Sequence, residues 1–86
     1  MIATVTLTPE AYRQADALPP PIRGRLWRLV DRLEGWPEVS GAKPLSGPLA
    51  GYYRVRTGDY RVRFRVVGET VIIDKIGHRS TFYELR

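Results

Sequence analysis

Residues 51–64 read GYYRVRTGDYRVRF. Two runs in which apolar and basic side chains alternate lie on either side of Gly58 and Asp59. Alternation with a period of two predicts half-buried β-strands, and a Gly-Asp pair between two such runs predicts the tight turn of a β-hairpin. The rest of the fold is built outward from this hairpin.

A two-residue turn at Gly58-Asp59 fixes the register of the hairpin. The cross-strand pairs are then Thr57–Tyr60, Arg56–Arg61, Val55–Val62, Arg54–Arg63 and Tyr53–Phe64. The aromatic and valine pairs share one face, which we expect to be the core face. A slip by one residue would oppose arginine to valine and bury charge, so the pattern selects this register strongly.

The same register opposes Arg56 to Arg61 and Arg54 to Arg63. Like charges directly opposite each other cost roughly 0.2–1 kcal/mol per pair. One interpretation is a solvated face on which arginine stems cover apolar surface. The other is a phosphate-binding surface whose repulsion is relieved by a polyanion. On that second interpretation, Tyr52 lies beside these arginines and stacks on a base.

Upstream, residues 2–7 predict a strand, and Thr8-Pro9 predicts the start of a helix of about ten residues. A proline run at 19–21 ends it and opens a second amphipathic helix with a stop at Gly35. Residues 37–51 are predicted as a loop, and strands are predicted at about 52–57, 60–67 and 70–77. The order β-α-α-β-β-β indicates a single α+β domain over residues 1–86. Its sheet is mainly antiparallel, with both helices on one face.

The composition limits the possible functions. The net charge of +5 and the pI near 10.1 favour an anionic partner, either nucleic acid or an acidic protein segment. The chain has no cysteine, which excludes thiolate chemistry. Its first residues lack the pattern of a signal peptide and its apolar runs are too short to span a membrane, so we expect a cytoplasmic protein. We expect the arginines of the second helix to form a solvated face.

Further candidates follow the last strand, where His78 and Arg79 come directly after Gly77 and Tyr83 lies four residues later. A lone histidine is as readily a surface residue as a functional one. Its position beside Arg79, after a strand expected to pair with the arginine-bearing one, makes it a candidate here.

Two stretches, PLSGPLAGYYRVRTGDYRVRF at 44–64 and IGHRSTFY at 76–83, resemble the RelE/ParE superfamily of bacterial toxins. The resemblance implies a RelE-like toxin of a type II toxin–antitoxin system that cuts mRNA in the ribosomal A site. It implies no metal and no cofactor, because the 2′-hydroxyl attacks the adjacent phosphate. The implied partners are a cognate acidic antitoxin, in a hetero-oligomer, and the ribosome-bound mRNA.

The basic residues of that family fall on Arg54, Arg56 and Arg61 of the hairpin and on Arg79, and its tyrosine falls on Tyr83. Guanidinium groups suit the charge of a phosphoryl transition state, so we assign phosphate stabilisation to Arg61 and Arg79. Proton transfer is assigned to His78 or Tyr83. The predicted RNA-binding residues are Arg54, Arg56, Arg63 and Tyr52.

Two alternatives remain open from the sequence. The first is a ParE-like inhibitor of DNA gyrase without nuclease activity. The second is a nucleic-acid-binding module without toxicity. The combined set of hairpin arginines, His78, Arg79 and Tyr83 favours the nuclease, because a gyrase binder does not need it.

Overall fold

The computed structural model describes residues 2–82, which form five strands, three α-helices and one 3-10 turn. In chain order they are β1 (Thr4–Leu7), α1 (Pro9–Asp16), α2 (Pro20–Leu33), β2 (Lys43–Pro44), the 3-10 turn (Gly47–Leu49), β3 (Tyr52–Thr57), β4 (Tyr60–Val67), β5 (Thr70–His78) and α3 (Arg79–Phe82). The predicted α+β class is confirmed. No helix within residues 2–82 combines the length and the apolar character needed to cross a membrane.

The strands form one sheet in the order β1-β5-β4-β3-β2. β2, β3, β4 and β5 pair antiparallel, as predicted, whereas β1 lies parallel to β5. β1 therefore occupies one edge of the sheet and the two-residue β2 occupies part of the other. Because β2 pairs only with Tyr53 and Arg54, the part of β3 after Arg54 has no neighbouring strand on this side among the described residues.

The helices begin where the sequence predicts and end slightly earlier. The Oγ1 of Thr8 accepts a hydrogen bond from the Ala11 N–H at 3.1 Å, which caps α1. α1 has eight residues, shorter than the predicted ten, and α2 ends at Leu33 rather than at Gly35. Both α1 and α2 start at a proline, whose fixed φ suits the first helical position.

The helices α1 and α2 pack on one sheet face and enclose the core. Its largest fully buried side chains are Phe64, Leu26, Leu29, Leu33, Ile73, Val62 and Val71. Trp36, just beyond α2, packs against this core. Its ring meets those of Tyr53 and Phe64 edge-on, with centroids 4.7 and 5.3 Å apart respectively. Burial of a side chain of this size contributes about 1.5–3 kcal/mol, so these contacts hold the hairpin against the helices.

The segment predicted as a loop, residues 37–51, contains the short β2 and the 3-10 turn. Lys43 pairs with Arg54 and Pro44 with Tyr53, and the Leu45 N–H donates to the Tyr52 carbonyl at 2.9 Å. Two paired residues give too short an alternation to be recognised in a sequence. The predicted order therefore lacked β2, and it also lacked the single helical turn α3.

Candidate functional site

The hairpin register places its arginines on the sheet face opposite the helices. All five predicted pairs are present, with Arg54 opposite Arg63 and Arg56 opposite Arg61. Val55, Val62 and Phe64 are at most 2% exposed on the core face. We call the opposite face the outer face.

One row of positive charge crosses the outer face through four neighbouring strands. Lys43 of β2 pairs with Arg54, Arg54 with Arg63, and Arg63 with Lys75 of β5. The sequence alone showed only the two central members, because the lysines come from strands whose register depends on long-range pairing.

Asp74 lies at a β-bulge in β5 and pairs with Arg63, one of the cations in this row. It is the extra residue of β5 where the register shifts between Arg63 and Phe64. Its two oxygens accept from Nε and Nη2 of Arg63 at 2.9 and 3.0 Å, and the guanidinium also lies 5.2 Å from the centre of the Tyr52 ring. Arg63 and Tyr52, both predicted to bind RNA, are therefore engaged with each other in this structure.

The helix α3 folds back over the outer face at β5. The Phe82 ring lies over Gly77: a Cβ built on Gly77 would be in ordinary van der Waals contact with Cδ1 of Phe82, at 3.6 Å. The Lys75 ammonium donates to the Phe82 carbonyl and sits 4.7 Å from its ring centre. Phe82 is 4% exposed, and its contact with Lys75 holds α3 against β5.

Arg79 is brought to the hairpin turn by a main-chain contact. Its N–H donates to the carbonyl of Asp59 at 2.7 Å, although the two residues are distant in sequence. At the same turn, Nη1 of Arg61 lies 3.4 Å from the Gly58 carbonyl oxygen. A Cβ at Gly58 would also lie 3.4 Å from Nη1 of Arg25, which reaches across from α2.

His78 ends β5 beside this turn. Its Nδ1 accepts the Ser80 backbone N–H at 3.0 Å and lies 2.8 Å from the Ser80 hydroxyl. Because Nδ1 is the acceptor, the neutral imidazole carries its proton on Nε2. The ring also meets Tyr60 edge-on, with centroids 5.2 Å apart. Tyr83, the other predicted proton-transfer residue, lies outside the described residues.

A groove of about 390 Å³ runs along the free edge of β3. It is bounded by the last turn of α2, the segment before β2 and the arginines of the hairpin. Its lining residues are Arg32, Ser40, Gly41, Lys43, Arg54, Val55, Arg56 and Arg61. Five of these eight are cationic and none is acidic, so the charge of the groove suits an anion.

Two groove residues were missed by the sequence analysis. Arg32 was expected on a solvated helix face and is indeed exposed, but its Nη2 also donates to the Ser40 carbonyl at 2.9 Å and it lines the groove. Lys43 stood in the predicted loop. Neither residue shows a periodic signal that separates it from an ordinary surface cation.

Among residues 2–82, no three His, Asp or Glu side chains come together as a group of potential metal ligands. The lining of the groove offers guanidinium and ammonium groups. Such groups bind phosphate oxygens and stabilise negative charge that develops on them.

Comparison with known proteins gives the family. The model described as the ParE toxin of the type II toxin–antitoxin system parDE matches residues 5–83. Toxin RelG of Mycobacterium tuberculosis is 33% identical over 82 residues, covering 93% of this chain and 94% of that protein. Toxin RelE3 of Methanocaldococcus jannaschii is 29% identical over 70 residues, covering 78% and 80% respectively.

The fold agrees with these matches. The toxin–antitoxin complex RelBE2 of Mycobacterium tuberculosis contains a chain that superposes with a TM-score of 0.83 at 33% identity. The superposition covers 92% of this chain and 100% of that one. The α+β architecture of this chain is therefore that of a RelE structure.

Proposed function

Since this chain belongs to the ParE toxin family of type II toxin–antitoxin systems and is RelE-like, we propose that it is a ribosome-dependent mRNA endonuclease that inhibits translation. The observation that carries this proposal is the convergence of Arg54, Arg56 and Arg61 on one acid-free groove. The main-chain bond from Arg79 to Asp59 supports it, because it brings a fourth arginine to the same turn.

The proposed reaction needs no group beyond the RNA and the protein. The 2′-oxygen of one nucleotide attacks the adjacent phosphorus, and the bond to the 5′-oxygen of the next nucleotide breaks. The products are a 2′,3′-cyclic phosphate and a 5′-hydroxyl. The proton of the 2′-hydroxyl leaves to a base, and the departing 5′-oxygen receives one.

Arg61 and Arg79 are proposed to stabilise the extra negative charge on the phosphoryl oxygens. A fixed guanidinium is suited to this task because it binds two oxygens at once and stays charged. Arg54 and Arg56 are proposed to hold the RNA backbone. Arg63 is proposed to take a lesser part in RNA binding, since the Nε–Nη2 edge of its guanidinium is directed at Asp74.

Proton transfer is proposed to involve His78 and Tyr83. The Nδ1 of His78 is occupied by the Ser80 N–H, so its Nε2–H is the edge of the ring that remains to meet substrate, as a donor. Tyr83, in its phenolate form, is then the proposed acceptor of the 2′-hydroxyl proton, which converts it to the phenol.

The proposed partners are the mRNA in the ribosomal A site and a cognate acidic antitoxin. The Mycobacterium tuberculosis relative was solved as a toxin–antitoxin complex, which supports an antitoxin partner for this chain. Because the ribosome is the proposed target, the proposed place of action is the cytoplasm.

The test is Arg61→Ala in a translating extract, with cleavage of a reporter mRNA mapped by primer extension. Loss of one preorganised charge-stabilising group typically costs about 10²–10³ in rate. Arg65→Ala is the matched control, because Arg65 is an exposed arginine of the same strand that does not line the groove. Cleavage by Arg61→Ala at the parent rate refutes the assignment. Inhibition of gyrase supercoiling without mRNA cleavage refutes the nuclease function.

A further inference from the structure

The groove is larger than one phosphate site requires. The cleaved phosphate is proposed to lie at Arg61 near the hairpin turn, beside its cross-strand partner Arg56, whereas Arg32 and Lys43 line the groove on the side of α2 and β2. These two cations come from different elements and have no assigned part in the chemistry.

We propose that Arg32 and Lys43 form a second phosphate-binding position, which holds the RNA phosphate next to the one that is cleaved. The proposal rests on the proposed function in that it takes RNA as the substrate. It adds a binding position to which α2 and β2 contribute side chains beside those of the hairpin.

Arg32 is held in place for this role. Its Nη2 donates to the Ser40 carbonyl at 2.9 Å, which ties the last turn of α2 to the segment that precedes β2. A guanidinium has five N–H donors, so this bond leaves others for a ligand. A side chain that is already oriented loses less conformational entropy when it binds.

Lys43 is placed by the sheet register. It pairs with Arg54, so the two side chains leave neighbouring strands on the same face, about 5 Å apart at Cα. Arg54 and Arg56 lie two residues apart on β3, at a spacing of about 7 Å. Successive phosphates of an extended single strand repeat at a similar spacing. One phosphate at Arg56 and the next between Lys43 and Arg54 therefore match the strand.

The structure also limits the direction that the strand takes. On the β5 side, α3 covers Gly77, which is the cross-strand partner of Arg61. On the opposite side β3 has a free edge and the groove is open. A strand whose phosphate lies at Arg56 and Arg61 therefore continues toward Lys43 and Arg32.

The lining favours a phosphate chain over an acidic peptide. Peptide segments gain most of their affinity from apolar anchors in pockets. Among the described residues, the only apolar side chain in the groove lining is that of Val55, which is 2% exposed and belongs to the core. A phosphate chain needs only charge and donors, and the groove offers those.

The experiment measures binding rather than cleavage. Lys43→Gln and Arg32→Gln are compared with the parent for a short single-stranded RNA made uncleavable by 2′-O-methylation, by fluorescence anisotropy. Arg28→Gln is the control, because Arg28 is exposed on the same helix and does not line the groove. Lys43 makes no hydrogen bond or ion pair of its side chain within residues 2–82, so its removal leaves the fold intact.

We expect each groove variant to bind roughly tenfold more weakly, the usual effect of one charged hydrogen bond. The slope of log affinity against log salt should fall by about 0.7 for each phosphate that the variant no longer neutralises. A neutral methylphosphonate at the neighbouring phosphate should weaken the parent by the same factor and should abolish the difference between parent and Lys43→Gln.

Four results overturn the inference. The first is that the parent does not bind the RNA, and the second is that Arg28→Gln loses as much RNA affinity as the groove variants. The third is that the salt slope is unchanged in both groove variants. The fourth is that the groove variants bind an acidic peptide more weakly but bind the RNA as the parent does. The proposed function fails separately. If the groove variants lose RNA affinity as expected but the parent does not cut mRNA in a translating extract, the second position stands and the nuclease does not.

Discussion

The ion pair between Arg63 and Asp74 gives the sharpest stability prediction. Asp74→Asn keeps the size of the side chain and one acceptor oxygen, but it removes the charge and the second acceptor. The Arg63 and Asp74 side chains are only 21% and 18% exposed, so the guanidinium would keep little water to replace its former partner.

The magnitude follows from that burial. Exposed pairs contribute about 0.2–1 kcal/mol, and breaking a fully buried pair costs about 3–5 kcal/mol. A bidentate pair at one-fifth exposure lies between these limits, so Asp74→Asn should lower the free energy of unfolding by about 1–2 kcal/mol. With a urea slope of about 1 kcal/mol per M, the unfolding midpoint should fall by about 1–2 M.

The assay is urea unfolding followed by circular dichroism, for Asp74→Asn, Arg63→Met and the double variant. Arg63→Met keeps much of the stem and removes the charge. If the ion pair is the cause, the double variant should be less destabilised than the sum of the two single variants. Additive losses of stability, or an Asp74→Asn midpoint equal to that of the parent, would show that the bulge geometry and not the ion pair stabilises this part of the sheet.

Three further predictions concern α3, α1 and the antitoxin surface. Gly77→Val should lower the rate of mRNA cleavage while the urea midpoint changes little, because its methyl groups reach the Phe82 ring and displace α3. Gly77→Ala should cleave near the parent rate, because its Cβ has room at 3.6 Å from the ring. Thr8→Ala should lower the free energy of unfolding in urea by about 1 kcal/mol, because it removes the cap of α1. Its affinity for RNA should equal that of the parent, and an altered affinity would contradict this. Binding of the proposed acidic antitoxin should weaken with salt in a titration from about 50 to 200 mM. An affinity that does not change with salt would count against an electrostatic contact.

The hairpin and the helices were predictable because their signals are local. The alternation around Gly58-Asp59 specifies both register and face, since any slip buries arginine. Thr8-Pro9 starts α1, and the stripe containing Leu26, Leu29 and Leu33 identifies the buried side of α2. These features need no knowledge of the remainder of the chain.

The parts that were missed depend on contacts between distant residues. β2 has only two paired residues, and Arg32 and Lys43 join the groove only once α2 and β2 are placed against β3. The bulge at Asp74 does leave a trace, because the buried positions Val71, Ile73 and Ile76 are spaced by two and then by three. The position of Arg79 depends on a main-chain bond, which no side-chain pattern records.

That bond between the Arg79 N–H and the Asp59 carbonyl has a consequence for protein engineering. The bond uses no side-chain atom, so this main-chain frame between the hairpin turn and α3 does not depend on the side chain at either position. Proline at position 79 is the exception, because it lacks the N–H. Both side chains can therefore be changed while this bond is kept, including the Arg79 guanidinium that is proposed to stabilise the phosphate. A library at these positions could retune charge and substrate preference at the turn while the main-chain frame stays unchanged.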